Sequence, residues 1–372
     1  MRKKRLKSKM GEIDYGVFYS VCILLAIGVV MVYSASSYYA MFNEGDSTYY
    51  LKKQLVWSVA GIVSMVFMMS FDYHKFKKIT PYLLLITPVL LIAVHFFPSV
   101  NGAKRWIVLG PLSFQPSELA KYVVVLFLAL SIDLKGDNIK KFTKGVLPCL
   151  LIAGLFSGLV LAQKNLSIAT IIMIVTLIMI FVGGADIKDL FYKIAPVLGI
   201  AVVGFIFGES YRLRRLMNFT NPWKDPAGDG YQLIQSFYSL GAGGLNGLGL
   251  GQSRQKTLYM PEPHNDFIFA IIGEEVGLIG CLFIISLFIF FIWRGINVAM
   301  KAKDSYGTLL AVGITSIIAV QAIINIAVVT GSMPVTGVPM PFISYGGSSL
   351  VINMIAMGIL LNISRQTEGK EI

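Results

Sequence analysis

The sequence predicts an all-α polytopic membrane protein with about ten transmembrane helices, both termini cytoplasmic and one large extracytoplasmic loop. Three observations predict it. Of the 372 residues 55% are hydrophobic, and with glycine counted the apolar share exceeds the roughly 45–50% of soluble domains. Only 14% are charged, against about 25% in soluble proteins. Apolar runs recur along the whole chain, and surplus apolar surface on this scale needs lipid as its solvent. These observations exclude a soluble globular enzyme, a disordered chain and a fibrous protein.

A helix needs about 20 apolar residues to cross hydrocarbon. Ten runs are read as spans: 15–37, 54–71, 79–97, 117–133, 146–162, 166–183, 189–208, 267–293, 306–330 and 344–363. The first follows a basic tail and has no small-residue cleavage site after it, so it reads as an uncleaved helix. Gln163-Lys164-Asn165 divides the stretch 146–183 into two short helices joined by a tight turn. With the N-terminus inside, inside segments carry 20 Lys and Arg and outside segments 11, with Lys121 within a span. That asymmetry predicts both termini inside. Residues 209–265 are too long for a structureless connection, and Tyr231–Tyr238 has helical apolar spacing, so short interfacial helices are expected there. The chain then reads as one membrane domain. Tail 1–14 precedes spans one to seven over 15–208; loop 209–265, spans eight to ten over 266–363 and tail 364–372 follow.

The net charge of +12 would suggest nucleic acid in a soluble protein. Here the cytoplasmic Lys/Arg excess accounts for part of it, and no nucleic-acid partner is expected. Cys22, Cys149 and Cys281 lie inside apolar runs and read as small core residues. The three histidines are far apart, and no zinc site is expected.

Charged and broken segments at membrane depth tend to line a cavity or pathway. Four places qualify. The first runs from Asn101 through Phe114 to Lys121 and offers Arg105, Trp106, Gln115, Ser117, Glu118 and Lys121. Pro116 fits a first helical turn. Glu118 and Lys121, three apart, share a face; they form either an ion pair or a cavity wall that meets an anionic headgroup. The second is the 209–265 loop, with Arg212, Arg214, Arg215, Gln232, Gln235, Lys256 and the glycine run 241–251. Glycines there either make turns or bring amides close to a phosphate. The run lacks the Lys-Ser/Thr ending of a P-loop, so no nucleotide is expected. The third is Glu262, His264 and Asp266, where Asp266 is either a helix cap or a general base or cation ligand. The fourth is the segment 333–349, with three prolines in nine residues, Ser344, Gly346, Gly347, Ser348 and Ser349. It reads as a rigid turn before the last span. All four fall on the outer side, where a lipid-linked anionic substrate would fit.

These segments resemble the SEDS family of bacterial cell-wall proteins over residues 12–365. The resemblance rests on Lys104-Arg-Trp-Ile with Phe114-Gln-Pro-Ser-Glu-Leu-Ala-Lys121, on Gly228-Asp-Gly-Tyr-Gln, on Pro261-Glu-Pro-His-Asn-Asp-Phe-Ile-Phe269, and on Pro334 through Ser348. Gly251–Tyr259 and Met31–Ser37 are more similar to the division and sporulation branch (FtsW, SpoVE) than to the elongation branch (RodA). The resemblance implies peptidoglycan glycosyltransfer from lipid II in the bacterial cytoplasmic membrane, without a nucleotide. It implies Asp266 as the essential carboxylate, acting as a base or holding a divalent cation, Mg or Mn. It also implies a class B penicillin-binding transpeptidase with a single transmembrane helix, and divisome proteins, as partners. The rival readings are a lipid II flippase and a non-catalytic scaffold. In one departure, Gln163-Lys164-Asn165 stands where many members carry an acidic residue after a proline. Gly277, Gly280, Ser286, Gly313 and Ser316 are small residues at which spans eight and nine could receive the partner's helix.

Overall fold

The computed structural model describes residues 11–367 apart from 100, 101, 111, 195, 197–198, 200–203, 205–206, 209–215, 218 and 229. Helix α1 spans Tyr15–Glu44, opened by Asp14, whose carboxylate accepts from Val17 N, and closed by Gly45 at φ 72°. Left-handed backbone of this kind is where glycine ends a helix. Helix α2 is Tyr49–Met69 and α3 is Phe76–Ala93. Strands β1, Ile107–Leu109, and β2, Leu112–Phe114, then form a small antiparallel hairpin with Ile107 opposite Phe114. The hairpin corrects the all-α expectation: the short apolar alternation before Pro116 pairs with itself. Helix α4, Pro116–Lys135, starts on its proline; α5 is Leu147–Ala162 and α6 is Leu166–Val182. Helix α7, Tyr231–Gly243, lies in the predicted loop. Helices α8, Ile268–Met300, α9, Ser305–Val329, and α10, Gly347–Ser364, complete the chain.

Seven of the helices among the described residues are long and apolar enough to cross a membrane. Of the other predicted spans, α6 is shorter and α4 carries Glu118, Lys121, Asp133 and Lys135. Nine of the 20 residues of the span 189–208 lie outside the described residues; a one-turn helix, Ile187–Asp189, leads into it and a π-helical turn, Leu190–Ile194, forms its start. Helix α9 packs against α8, α4 and α6, and α10 lies along α2. Two-thirds of α9 and α10 is buried (67%), against 22% of α2 and α3. The first pair therefore forms the interior, and the second turns apolar surface to lipid.

One end of the bundle brings the start of α1 and the end of α10 together. Arg294 pairs with Asp14 at 2.6 Å, Gly11 N donates to Arg365 O at 2.9 Å, and Gln366 reaches Asp72 at 3.3 Å. His74 bridges Asp72 and Asp304 at 2.8 and 2.9 Å.

Helix α8 is not the continuous span expected. It breaks at Gly277 (φ 69°), and the glycine run after α7 docks into the break. Leu248 N and Gly249 N donate to the carbonyls of Glu274 and Glu275 at 2.9 and 3.0 Å, while Leu278 N and Ile279 N donate to Gly244 O and Leu245 O. Backbone groups freed by the break are thus satisfied, as burial in lipid requires. A Cβ at Gly243 or Gly247 would strike the carbonyls of Gly273 and Glu275. Here these glycines bring backbone against backbone, which corrects the phosphate-loop alternative.

Candidate functional site

Asp266 stands at the opposite end of the bundle, half-buried. The helix after it begins at Ile268 with Phe267 at the N-cap and no side-chain cap. Asp266 is therefore one residue short of the capping position. Its main chain is fixed from the interior: Asn325 Nδ2 donates to Asp266 O at 2.7 Å and to Val338 O at 2.8 Å. One amide thus binds the start of α8 to the proline-rich segment. The carboxylate faces that segment, since a Cβ at Gly337 would stand 3.8 Å from Asp266 Oδ2.

The proline-rich segment is tied down along its length. Ser344 Oγ donates to Asn265 O at 2.7 Å and accepts from Met340 N at 2.8 Å. Tyr345 N donates to His264 O at 2.9 Å. Two side-chain-bearing residues here take left-handed backbone, Glu262 (φ 44°) and Phe342 (φ 65°). Such conformations cost about 1–3 kcal/mol each and persist where surroundings over-determine them. The side chain of Glu262 accepts from Asn265 Nδ2 at 2.7 Å.

The same segment leads to the start of α4. Ser348 Oγ accepts from Gln115 N at 3.3 Å, and Gln115 Nε2 donates to Ser117 Oγ at 3.1 Å. Ser349 Oγ donates to Glu118 at 2.8 Å. Glu118 also pairs with Lys121 at 2.9 Å, both side chains almost wholly buried. Of the two sequence alternatives for this turn, the ion pair is the one formed. Gly347 packs on Trp57, 2.9 Å from the place a Cβ would occupy, and Gly346 is extended. A narrow pocket beside these residues is lined by Gln321, Ser344, Tyr345, Ser349 and Asn353.

His264 is buried, and its ring packs on Tyr50 at 4.3 Å, Tyr345 at 5.5 Å and Tyr39 at 5.7 Å. Burial pushes its pKa down to about 4, so the neutral ring dominates near neutral pH. The sequence placed it among substrate contacts; the structure gives it an aromatic packing role that anchors residues 262–266 to α1 and α2.

The remaining candidates are dispersed. Arg105 donates to the carbonyls of Gln163 and Lys164, holding the α5–α6 turn where Lys164 is left-handed (φ 58°). In that turn Gln163 Nε2 donates to Leu91 O at 2.8 Å and Asn165 caps α6. The turn therefore holds together with Gln163-Lys164-Asn165 in place of an acidic residue. Trp106 is half-buried, as are Gln232 and Gln235 on α7. Lys256 belongs to a different cluster: it pairs with Glu275 at 2.8 Å, and Ser34 donates to the same carboxylate. That pairing is a correction, because the charge of this buried lysine is already neutralised by Glu275. Arg212 and Arg215 lie outside the described residues. Sequence reasoning missed Asn325, although a lone Asn in an apolar span is the kind of signal that marks an interior polar contact.

Among the described residues no three His, Cys, Asp or Glu side chains converge as a metal cage. A single carboxylate suits a cation that takes its other ligands from a bound diphosphate, as Mg sites commonly do.

Fold and site define a multi-pass membrane protein with a clamped carboxylate at one end of its helical bundle. The family model for cell cycle proteins of the FtsW, RodA and SpoVE type matches residues 15–369, and the chain belongs to that family. Stage V sporulation protein E of Bacillus subtilis (strain 168) is 44% identical over 348 residues, covering 92% of this chain and 94% of that protein. A protein of Geobacter sp. (strain M18) named probable peptidoglycan glycosyltransferase FtsW is 41% identical, covering 96% and 98%. Among solved structures, a chain from a peptidoglycan synthase complex, described for its coordination of polymerization and crosslinking, matches with TM-score 0.79 at 26% identity, covering 95% and 98%. The rod shape determining protein RodA of Thermus thermophilus matches at 0.71 with 25% identity, covering 96% and 98%.

Proposed function

We propose that this chain is a peptidoglycan glycosyltransferase that polymerises lipid II at the outer face of the bacterial cytoplasmic membrane. The observation that carries the reading is the clamp of Asn325 on Asp266 and Val338, which presents one carboxylate against a broken, proline-rich wall. Enzymes place such groups on backbone that cannot drift. The relatives named FtsW support it by name. The meeting of the start of α1 with the end of α10 at the far end of the bundle supports ten spans, cytoplasmic termini and an outward loop at 209–265.

The acceptor sugar's 4-hydroxyl attacks the donor's anomeric carbon, the bond to undecaprenyl diphosphate breaks, and a β1→4 bond forms with inversion. Asp266 takes the hydroxyl proton as general base. Arg105, Arg212 and Arg215 offset charge growing on the leaving diphosphate, while Lys121, buried against Glu118, holds the start of α4 beside them. Trp106, Gln115, Gln232, Gln235 and Ser348, with Gly346 and Gly347, shape the surface for sugar and peptide, backed by the buried hydroxyls of Ser117 and Ser344. A divalent cation, Mg or Mn, would be held by Asp266 and supply further charge neutralisation at the diphosphate. The partners are a class B penicillin-binding transpeptidase, whose helix lies in the same membrane, and divisome proteins.

Purified protein with fluorescent lipid II tests the reading. Glycan ladders on a gel are expected; lipid II crossing vesicle bilayers without ladders would make the chain a transporter, and neither result a scaffold.

A further inference from the structure

A cleft of about 890 Å³ opens between the second half of α1 and residues 250–257. That lies within the size range of ligand sites, and the clamp on Asp266 makes no use of it. At 1.5 Å per residue the 30 residues of α1 measure about 45 Å, against about 30 Å of hydrocarbon. The last turns of α1 therefore emerge at headgroup depth. One wall of the cleft is apolar and aromatic: Val30, Tyr33, Tyr38 and Met41 are exposed along α1, and Leu250 is exposed across from them. Tyrosines at this depth suit the membrane interface. The polar side holds the hydroxyls of Ser37, Ser47 and Thr257 together with Arg254 and Lys256, and among the described residues no Asp or Glu lines the cleft.

The two cations differ. Lys256 is buried and pairs with Glu275. Arg254 is exposed, and among the described residues its guanidinium has no carboxylate partner. Its backbone is fixed, because Arg254 N donates to buried Glu274 at 2.8 Å and Ser253 Oγ to the same carboxylate at 2.6 Å. A planar cation is thus held at headgroup depth beside an apolar wall that continues toward the hydrocarbon. Arginine with nearby hydroxyls matches a phosphate diester, and the exposed aliphatic face matches the first carbons of an acyl chain.

We propose that this cleft binds an anionic phospholipid at the membrane surface, its phosphate on Arg254 and its glycerol end and upper acyl chain along α1. The bound lipid would brace residues 250–257, the segment that leads into Glu262 and Asp266.

Native mass spectrometry of the purified full chain, after exposure to vesicles of phosphatidylglycerol or phosphatidylcholine, tests this. Phosphatidylglycerol is expected to be retained at least fivefold over phosphatidylcholine. Arg254→Gln should lose most of that preference, Arg254→Lys should keep part of it, and Met41→Glu, which puts a negative charge in the exposed wall, should lose it as well. Equal retention of the two lipids, or full retention by both Arg254→Gln and Met41→Glu, would overturn the proposal. So would displacement by glycerol 1-phosphate at matched concentration, which would mark a soluble phosphate ligand. Crosslinking of a cysteine at Tyr38 to a protein partner, with no lipid retained, would also overturn it. The readout is retained lipid, so it stands apart from polymerisation.

Discussion

Asn325 holds Asp266 by its main chain, at 2.7 Å across 59 residues of sequence. The interior helix α9 therefore sets where the carboxylate stands, and the same amide sets where Val338 stands. Asn325→Leu keeps the volume and leaves two carbonyls without that donor. Unsatisfied buried acceptors cost about 1–3 kcal/mol each. The variant should insert, unfold at lower temperature and lose at least about tenfold in lipid II turnover, which thermal unfolding and a gel assay measure together.

The buried Glu118–Lys121 pair gives a second prediction. Removing one member of a buried pair leaves an uncompensated charge and costs about 3–5 kcal/mol. Lys121→Met should therefore lower folded yield sharply, and Glu118→Lys with Lys121→Glu should recover it. If Lys121 also serves the diphosphate, the swapped protein folds but stays inactive. Recovery of turnover in the swap would limit the pair to packing.

His264 predicts a pH dependence. Its pKa falls from 6.5 to about 4 on folding, so the unfolded chain binds the proton more readily. Stability from this site is complete above about 6.5 and is lost as pH falls toward about 4, by up to about 3 kcal/mol at 1.36 kcal/mol per unit. His264→Phe should remove this part of the acid sensitivity while keeping the aromatic packing. Unfolding temperatures across that pH range, compared with the parent, give the measurement.

Gly247 has φ 79°, and a Cβ there would strike Glu275 O. Gly247→Ala then incurs about 1–2 kcal/mol for left-handed backbone and roughly 1–3 for overpacking. Lower folded yield in membranes is expected, with the effect read by fluorescence-detected gel filtration.

The partner's helix has fewer docking positions than the sequence offered. Gly277 meets the 245–247 backbone, and Gly313 is filled by Val125 and Met179. On α8 the exposed stripe of Leu278, Leu282, Phe283 and Ile289 beside Ser286 remains. Cysteine at Ser286 should crosslink to the transpeptidase helix, and cysteine at Gly313 should not.

Much of this was legible from residue order. Pro116 opens α4 as its fixed φ requires, and Gln163-Lys164-Asn165 does divide α5 from α6. Asp266 and the proline-rich segment do adjoin. What was not legible depends on partners distant in sequence. Nothing near Gly277 announces a broken helix, because the groups that repair it lie on residues 244–249. Lys256 reads as a free cation until Glu275 and Ser34 are folded against it. His264 reads as a substrate contact beside Asp266 until Tyr39 and Tyr50 of two other helices enclose it. The hairpin before α4 is three residues a side, too short for periodicity to separate from a loop.

The most direct test of the central claim is the Asp266→Asn variant in the lipid II polymerisation assay. The substitution keeps the size and one acceptor oxygen but removes charge and basicity, and the Asn325 clamp acts on a carbonyl that it leaves in place. The expected result is a folded, membrane-inserted protein with glycan synthesis nearly abolished. Glycan ladders of normal length and rate from this variant would contradict the account.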